Sequence, residues 1–364
     1  MSEARFVLSK GIVEEQVKVL EDLGLKVSYS YKTNREVGNV LQEIESVDFS
    51  IHAKEEIDMI KDKAKIWFFT QAELESDLKE IIDSGIRNFV VDNEIDLERI
   101  LSVIRWLGVK INLSLRMKFQ EHRIGSGKYF VYGMASKRVN ELILGLKNHE
   151  FLDKLGVHIH RKSQNTSEWD VKSELEDSLT SESLERLDFV NMGGGLPSKY
   201  RSYTSEVLPY VFSKIKESID WLKSMGIDSY IEPGRFISAP AVKLETEVIQ
   251  VQGTNLIINT TIYNCALDGF LTGTKMLVEG ELEDELLEMN LLEKGSQKPV
   301  PKTGEYYLIK GNSPTRDDIF RYKVKLKDVK VGNKIVFLNA GAYNYTTDFF
   351  GYKKLKTIVV EIFK

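Results

Sequence analysis

The 364 residues carry 50 basic against 55 acidic side chains, a formal charge of −5, which gives no electrostatic reason to expect nucleic acid or a membrane surface as partner. Hydrophobic residues at 42% and charged residues at 29% describe a globular chain with core enough for a barrel and a smaller second domain, while the single cysteine, Cys265, excludes an intrachain disulfide and a cysteine-built zinc site. The opening MSEARFVLSK lacks the apolar run of a signal peptide and no stretch of about 18 apolar residues occurs, so the expectation is a soluble, cytoplasmic protein whose sequons at Asn165 and Asn259 are chance matches.

From residue 8 to 242, short β-rich runs alternate with amphipathic helical stretches. The strands are expected at KVSYSY (26–31), VDFSI (47–51), KIWFF (65–69), NFVV (88–91), KINLSL (110–115), GVHI (156–159), FVNM (189–192) and SYIE (229–232). Between them, segments such as EEQVKVLEDLG and VFSKIKESIDWLKSMG repeat apolar residues at i, i+3, i+4 and i+7. Eight such strands suit a (β/α)8, TIM-like barrel better than a doubly wound open sheet. Beyond residue 243 the texture changes. KLETEVIQVQ, NLIINTTIYN, EYYLIKG, KIVFLN and KTIVVEIFK read as strands with no long helices between them, so residues 243–364, with 1–7, form a mainly β domain. The acidic stretch at 278–304 reads as an exposed excursion. GSGK at 125–128 lacks the spacing of a nucleotide P-loop.

Chemistry in such a barrel sits at the carboxyl ends of its strands. Lys32 closes the first strand, His160 follows the sixth, the glycines 193–195 follow the seventh and Glu232 ends the eighth. Alone, each has an ordinary explanation: a solvated turn lysine, a structural histidine, a flexible turn, a plain loop. Together they differ, because the loops after strands seven and eight commonly build a phosphate site, where glycine brings backbone N–H groups close and Arg235 adds positive charge. A phosphate site, a carboxylate and a lysine around one mouth describe pyridoxal phosphate, with the lysine on its aldehyde and the carboxylate on its ring nitrogen.

These motifs resemble the ornithine/diaminopimelate/arginine decarboxylase family, whose barrel is shared with alanine racemase. YSYKTN is similar to the family's Y-A-x-K-x-N box, which makes Lys32 the Schiff-base lysine. GVHIHRKSQ resembles the segment whose histidine stacks on the pyridine face, here His160, and whose serine helps hold the phosphate, here Ser163. NMGGGLP is similar to the phosphate loop, carried by Gly193, Gly194 and Gly195. EPGR matches in full, implying Glu232 at the ring nitrogen and Gly234 and Arg235 at the phosphate. GAY in the β domain implies that Tyr343 reaches the phosphate. The resemblance also implies a homodimer with active sites shared across the interface.

Departures from the family pattern bear on the substrate. Where G-P-x-C-[D/E]-x-x-D is usual, this chain has GNSPTRDDIF (311–320), with Pro314 for the proton-donating cysteine and Thr315 for the acid that reads the distal end. Cys265 stands where a second substrate-reading aspartate is expected and is a candidate donor. Around strand two, Ser50 occupies a common aspartate position, with Asp48 nearby as the alternative. A diamine precursor would lose both acidic partners, each such charge-assisted bond being worth about 1.5–3 kcal/mol. Arg316 in the same loop either faces solvent or favours an anionic distal group. The second option is similar to what the decarboxylase domain of a microcin C maturation enzyme requires, since its substrate is an aminocarboxypropyl group on a nucleotide phosphate. The expectation is a pyridoxal-phosphate-dependent decarboxylase of a small molecule or modified nucleotide. An amino-acid racemase and a non-catalytic cofactor-binding regulatory homologue are the rivals.

Overall fold

The computed structural model describes residues 2–119, 132–146, 148–282 and 304–363. GSGK at 125–128 and most of the acidic excursion therefore lie outside the described residues. The chain packs into two units, one comprising Glu14–Pro197 and Ser205–Phe236, the other Met1–Val13, Ser198–Thr204 and Ile237–Lys364. The division falls a few residues before the expected 242, and a short excursion at 198–204 belongs to the second unit.

In chain order, strand β1 (Arg5–Ser9) and helix α1 (Lys10–Asp22) precede the barrel. Its strands and intervening helices are β2 (Lys26–Ser30), α2 (Arg35–Leu41), β3 (Asp48–Ile51), β4 (Ile66–Thr70), α3 (Glu75–Asp83), β5 (Asn88–Val91), α4 (Glu94–Leu107) and β6 (Ile111–Lys118). After the short β7 (Met134–Ala135) come α5 (Ser136–Leu146), β8 (Leu152–Ile159), α6 (Val171–Ser178), α7 (Ser181–Leu184), β9 (Phe189–Asn191), α8 (Leu208–Ser224), β10 (Asp228–Ile231) and α9 (Arg235–Ala241). Eight of these strands, β2 to β6 and β8 to β10, pair in parallel, and the β5–β6 and β10–β2 pairings close the ring. All eight overlap the expected runs, with β6 running on to Lys118 and β8 starting at Leu152.

The helices form where local signals place them. Asn93 caps α4 by accepting from the Asp96 amide at 3.0 Å, and Gly108 ends it in the left-handed region at φ 64°. In α8 the helically spaced Val211, Ile215, Ile219 and Leu222 are all buried.

Alternate residues of a strand face the same side, so each barrel strand contributes successive side chains to interior layers. One layer is apolar. Trp67, Phe189 and Tyr230 meet edge to face with centroids 5.1–5.6 Å apart, and Trp67 Nε1 donates to Asp48 Oδ2 at 3.3 Å. Gly156 leaves the room: a Cβ there would stand 2.4 Å from the Phe189 ring. Two residues further along the same strands lie Ser50, His158, Asn191 and Glu232, which form a polar group at the carboxyl mouth, with Phe69 beside His158.

The second unit is a sheet of order β13-β16-β11-β12-β14-β15, its strands being β11 (Val242–Gln252), β12 (Asn255–Ile258), β13 (Leu277–Val278), β14 (Glu305–Lys310), β15 (Ile319–Leu326) and β16 (Lys334–Leu338). Strand β1 joins it antiparallel to β11 and parallel to β17 (Lys356–Val360). The run NLIINTTIYN is strand only to Ile258. Thr261 then caps the helical turn α10 (Ile262–Cys265), which α11 (Leu267–Thr272) follows. Among the described residues no helix is long and apolar enough to cross a membrane.

Asp48 in the apolar layer offers a test. Burial, only partly offset by the Trp67 bond and by Lys65 and Lys26, raises its carboxyl from 3.8 to about 6. A raised folded pKa means stability that is fully present below pH about 4 and is lost as pH rises through about 6. Asp48→Asn keeps an acceptor for Trp67 and removes the charge. Urea unfolding is expected to show the variant more stable at pH 7.5, on the order of 2 kcal/mol, and level with wild type near pH 4.

Candidate active site

Lys32 does not belong to the strand it follows. Strand β2 stops at Ser30 and residues Tyr31–Thr33 make one 3-10 turn, ended by Asn34 in an extended conformation. Asn34 Oδ1 then accepts from the amides of Glu36 (3.0 Å) and Val37 (3.2 Å) and starts α2. Tyr31 is buried edge-on against Phe49 at 6.0 Å and Gly38 admits its ring, so the turn is pinned on both sides of the exposed Lys32. The K-x-N spacing is thus mechanical: one turn presents the amine and the asparagine launches the helix. Among the described residues Lys32 Nζ has no hydrogen-bond or ion-pair partner.

His160 follows β8, and its Nδ1 accepts from the Gly194 amide at 3.3 Å. Burial, with His158, Arg116 and Lys32 adding to it, pushes the imidazole down to about 3. A neutral ring at ordinary pH suits stacking on a cationic heterocycle. Gly193 sits at φ 68° with the position of a Cβ only 2.2 Å from the Ile159 carbonyl oxygen, and its amide donates to Asn191 Oδ1 at 2.9 Å. Gly193 and Gly194 therefore shape the loop and direct their N–H groups to the protein. The Gly195 N–H has no partner among the described residues and is the loop's open donor. Arg235 Nε donates to Ser163 Oγ at 3.4 Å, which puts a guanidinium and a hydroxyl side by side. Gly234 lets the chain pass Thr33, whose Oγ1 would lie 2.3 Å from a Cβ there.

Glu232 is 6% exposed, yet ionised. Ser50 Oγ (2.8 Å) and Asn191 Nδ2 (3.0 Å) donate to Oε1, and His158 Nε2 meets Oε2 at 3.0 Å. Burial by itself would raise this carboxyl, but His158 and then His52 and Ser50 outweigh it and hold it below the ordinary carboxylate range. The ambiguity around β3 is resolved here: Ser50, not Asp48, faces the site. His52 is exposed and stacks on Phe69 at 4.6 Å. Sequence patterns did not single out His52, His158 or Asn191 for function. The signal available was period two, since His158 lies two residues before His160 and Asn191 two before Gly193.

Four of the expected site residues belong to the second unit. Tyr343, at φ 56°, packs on Tyr200, Ala239 and Ala342. Cys265 is fully buried, its Sγ donates to the Thr261 carbonyl at 3.1 Å, and burial drives the thiol up to about 12. That corrects the reading of Cys265 as a substrate contact or proton donor: it is a core residue. Thr315 Oγ1 donates to Tyr263 OH at 3.0 Å, and Arg316 is exposed with no partner among the described residues.

Residues 10–239 match the model of a family described as "Pyridoxal-dependent decarboxylase, pyridoxal binding domain". The chain belongs to that family. Diaminopimelate decarboxylase of Pseudomonas aeruginosa is 27% identical over 271 residues, 68% of this chain and 64% of the relative. Its counterpart in Vibrio cholerae is 28% identical over 244 residues, covering 61% and 57%. The chain thus spans less than two thirds of these relatives' length. Among solved structures, diaminopimelate decarboxylase from Helicobacter pylori complexed with L-lysine superposes with TM-score 0.79 at 18% identity, over 99% of this chain and 92% of that one. Lysine decarboxylase from Selenomonas ruminantium gives 0.79 at 19%, over 99% and 93%.

The barrel's residues fit pyridoxal phosphate. The open Gly195 N–H, Arg235 and Ser163 offer donors to a phosphate, a charged Glu232 offers an acceptor to a ring N–H, and Lys32 offers an unpaired amine. The tightness of the loop is testable. Gly193→Ala is expected to destabilise the apoprotein by about 1–3 kcal/mol beyond Gly226→Ala, which has the same handedness at φ 76° but open space around it. Urea melts read the difference, and retention of cofactor on gel filtration is expected to fail for Gly193→Ala alone.

Proposed function

We propose that this chain is a pyridoxal-phosphate-dependent carboxy-lyase acting on an amino acid or an aminocarboxypropyl-type group, as a homodimer with shared sites. The observation that carries the reading is a buried Glu232, met by Ser50, Asn191 and His158, in the same barrel mouth as His160 and a Lys32 that has no partner among the described residues. Pyridoxal phosphate supplies an electron sink for the bond to the departing carboxylate. The protein's part is binding and charge placement. Lys32 is the amine that attaches the cofactor. Glu232 holds a proton on the ring nitrogen, which keeps the ring electron-poor. His160, neutral, covers the ring's face at no electrostatic cost. Arg235, Ser163 and the Gly195 N–H neutralise and orient the phosphate.

The substrate reading rests on the loop at 311–318. Its buried acid, Asp318, accepts from the amides of Ile262 (2.9 Å) and Ser313 (3.0 Å) and from Ser313 Oγ (2.6 Å), so it is committed to the loop itself. Thr315 offers a hydroxyl where a distal ammonium would need a carboxylate. Arg316 is left as the loop's exposed cation. Together these favour a distal group that is anionic over the ammonium of lysine, ornithine or diaminopimelate.

Borohydride treatment of the cofactor-loaded protein, followed by peptide mapping, is expected to leave the reduced adduct on Lys32, with Lys32→Ala giving none and no carbon dioxide release. A holoenzyme carrying the label elsewhere, or a Lys32→Ala variant turning over at wild-type rate, overturns the reading. For the substrate, Arg316→Ala is expected to raise KM about tenfold or more for amino acids with a phosphate or carboxylate at the distal end, and to leave KM for lysine unchanged. Equal effects on both would return Arg316 to solvent.

A further inference from the structure

Glu232 can serve a ring nitrogen only if it is charged and keeps an acceptor site turned outward. A carboxylate has about four such sites. Ser50 and Asn191 occupy both on Oε1, at 2.8 and 3.0 Å. His158 Nε2 takes one on Oε2 at 3.0 Å, which leaves a single site. The His158 ring is 1% exposed, lies edge-on to Phe69 at 5.1 Å and runs parallel to His160 at 6.5 Å with 9° between planes. Its Nδ1 is buried without a partner among the described residues. A side chain kept for packing alone would be apolar here and would leave no orphan nitrogen. What the imidazole adds is the donor on Oε2.

We propose that His158 is a positioning residue for the cofactor's ring nitrogen, turning Glu232 so that its last acceptor site faces the ring N–H and holding it as a carboxylate. The proposal rests on the reading of this mouth as a pyridoxal-phosphate site and adds a residue to it. Ser50 and Asn191 grip one oxygen only, so they leave the carboxylate free to rotate about that oxygen. The third contact fixes the plane. A hydroxyl at Ser50, in place of an acid, serves the same end: a second carboxylate there would compete for the proton that the ring must keep.

The test compares wild type, His158→Gln, which retains an N–H donor, and His158→Leu, which removes it. Borohydride mapping first establishes that the cofactor attaches to Lys32. Each protein is then loaded with pyridoxal phosphate labelled with 15N in the ring, and the ring-nitrogen shift and the cofactor Kd are measured. Wild type and His158→Gln are expected to show a protonated ring nitrogen. In His158→Leu the signal is expected to move towards the unprotonated position and Kd to rise about tenfold. An unchanged shift and Kd in His158→Leu overturns the proposal while leaving the cofactor site standing. No adduct at Lys32 in wild type overturns both. Should His158→Leu not fold, 15N-histidine spectra of wild type decide: a proton on His158 Nε2 supports the assignment, and an unprotonated Nε2 refutes it.

Discussion

A carboxylate buried at the mouth of a closed barrel has to be answered by donors, because an uncompensated buried charge costs several kcal/mol. Glu232 sets this demand at the end of β10, and β3, β8 and β9 meet it with Ser50, His158 and Asn191. The three donors come from different strands, so their geometry depends on the register of all four. A slip of one residue would turn any of them to the other face of its strand. The ladders that hold the barrel, such as Ser30↔Ser50 between β2 and β3 and His158↔Asn191 between β8 and β9, therefore also hold the site. Fold and chemistry are one constraint here.

That constraint governs the charges around it. His160 is kept neutral, by burial first and by neighbouring cations second. Arg116 is paired with Asp92 at 3.2 Å and so is not a loose cation in the mouth. What remains, beside the Arg235 guanidinium next to Ser163, is the negative charge of Glu232 and the amine of Lys32. A cofactor that carries a cationic ring nitrogen and reacts through an aldehyde needs this pair, and an additional charged imidazole would oppose the first of its demands. The lower layer shows the contrasting case. Asp48 has Trp67 as its one side-chain donor among the described residues, and burial lifts its carboxyl to about 6 rather than leaving it firmly ionised.

The barrel was legible because its strands are short, apolar and separated by strongly periodic helices, and because Lys32, His160 and Glu232 each close a strand. The β unit was less so. In NLIINTTIYN the β-branched residues run on past the strand, and only Thr261, accepting from the Tyr263 amide, marks the turn into α10. Strand β15, IFRYKVKL, was not singled out although its apolar and charged residues alternate, and its burial does not follow that alternation: Tyr322 is exposed while Arg321 is buried on Glu281 at 2.6 Å. The supporting histidine and asparagine were hidden for another reason. A polar residue inside a buried strand declares its role only when the partner across the barrel is known, and Glu232 lies 74 residues from His158 and 41 from Asn191. The Gly193 and Gly194 amides mislead in the opposite sense. Their glycine content reads as a row of phosphate donors, whereas both are already committed to protein acceptors.

The divergent loop separates what holds a shape from what reads a substrate. A Cβ at Gly311 would lie 2.2 Å from Asp318 Oδ1, so that glycine and that aspartate are tied together by packing as well as by the hydrogen bonds Asp318 receives. Both are the ends of the G-P-x-C-[D/E]-x-x-D pattern, and both are present. Between them Asn312, Pro314 and Thr315 depart, the last two at the cysteine and acid positions. The Thr315 hydroxyl is already engaged with Tyr263, and Cys265, the sequence's single thiol, is sealed in the core. The frame of the loop is thus intact while its two reactive positions have changed chemistry. In the barrel, by contrast, Lys32, His160 and Glu232 are all present, and Ser50, His158 and Asn191 surround the carboxylate. The mouth departs from the family pattern too, at Ser50, yet that hydroxyl donates to Glu232 at 2.8 Å, so the change leaves the buried carboxylate supported.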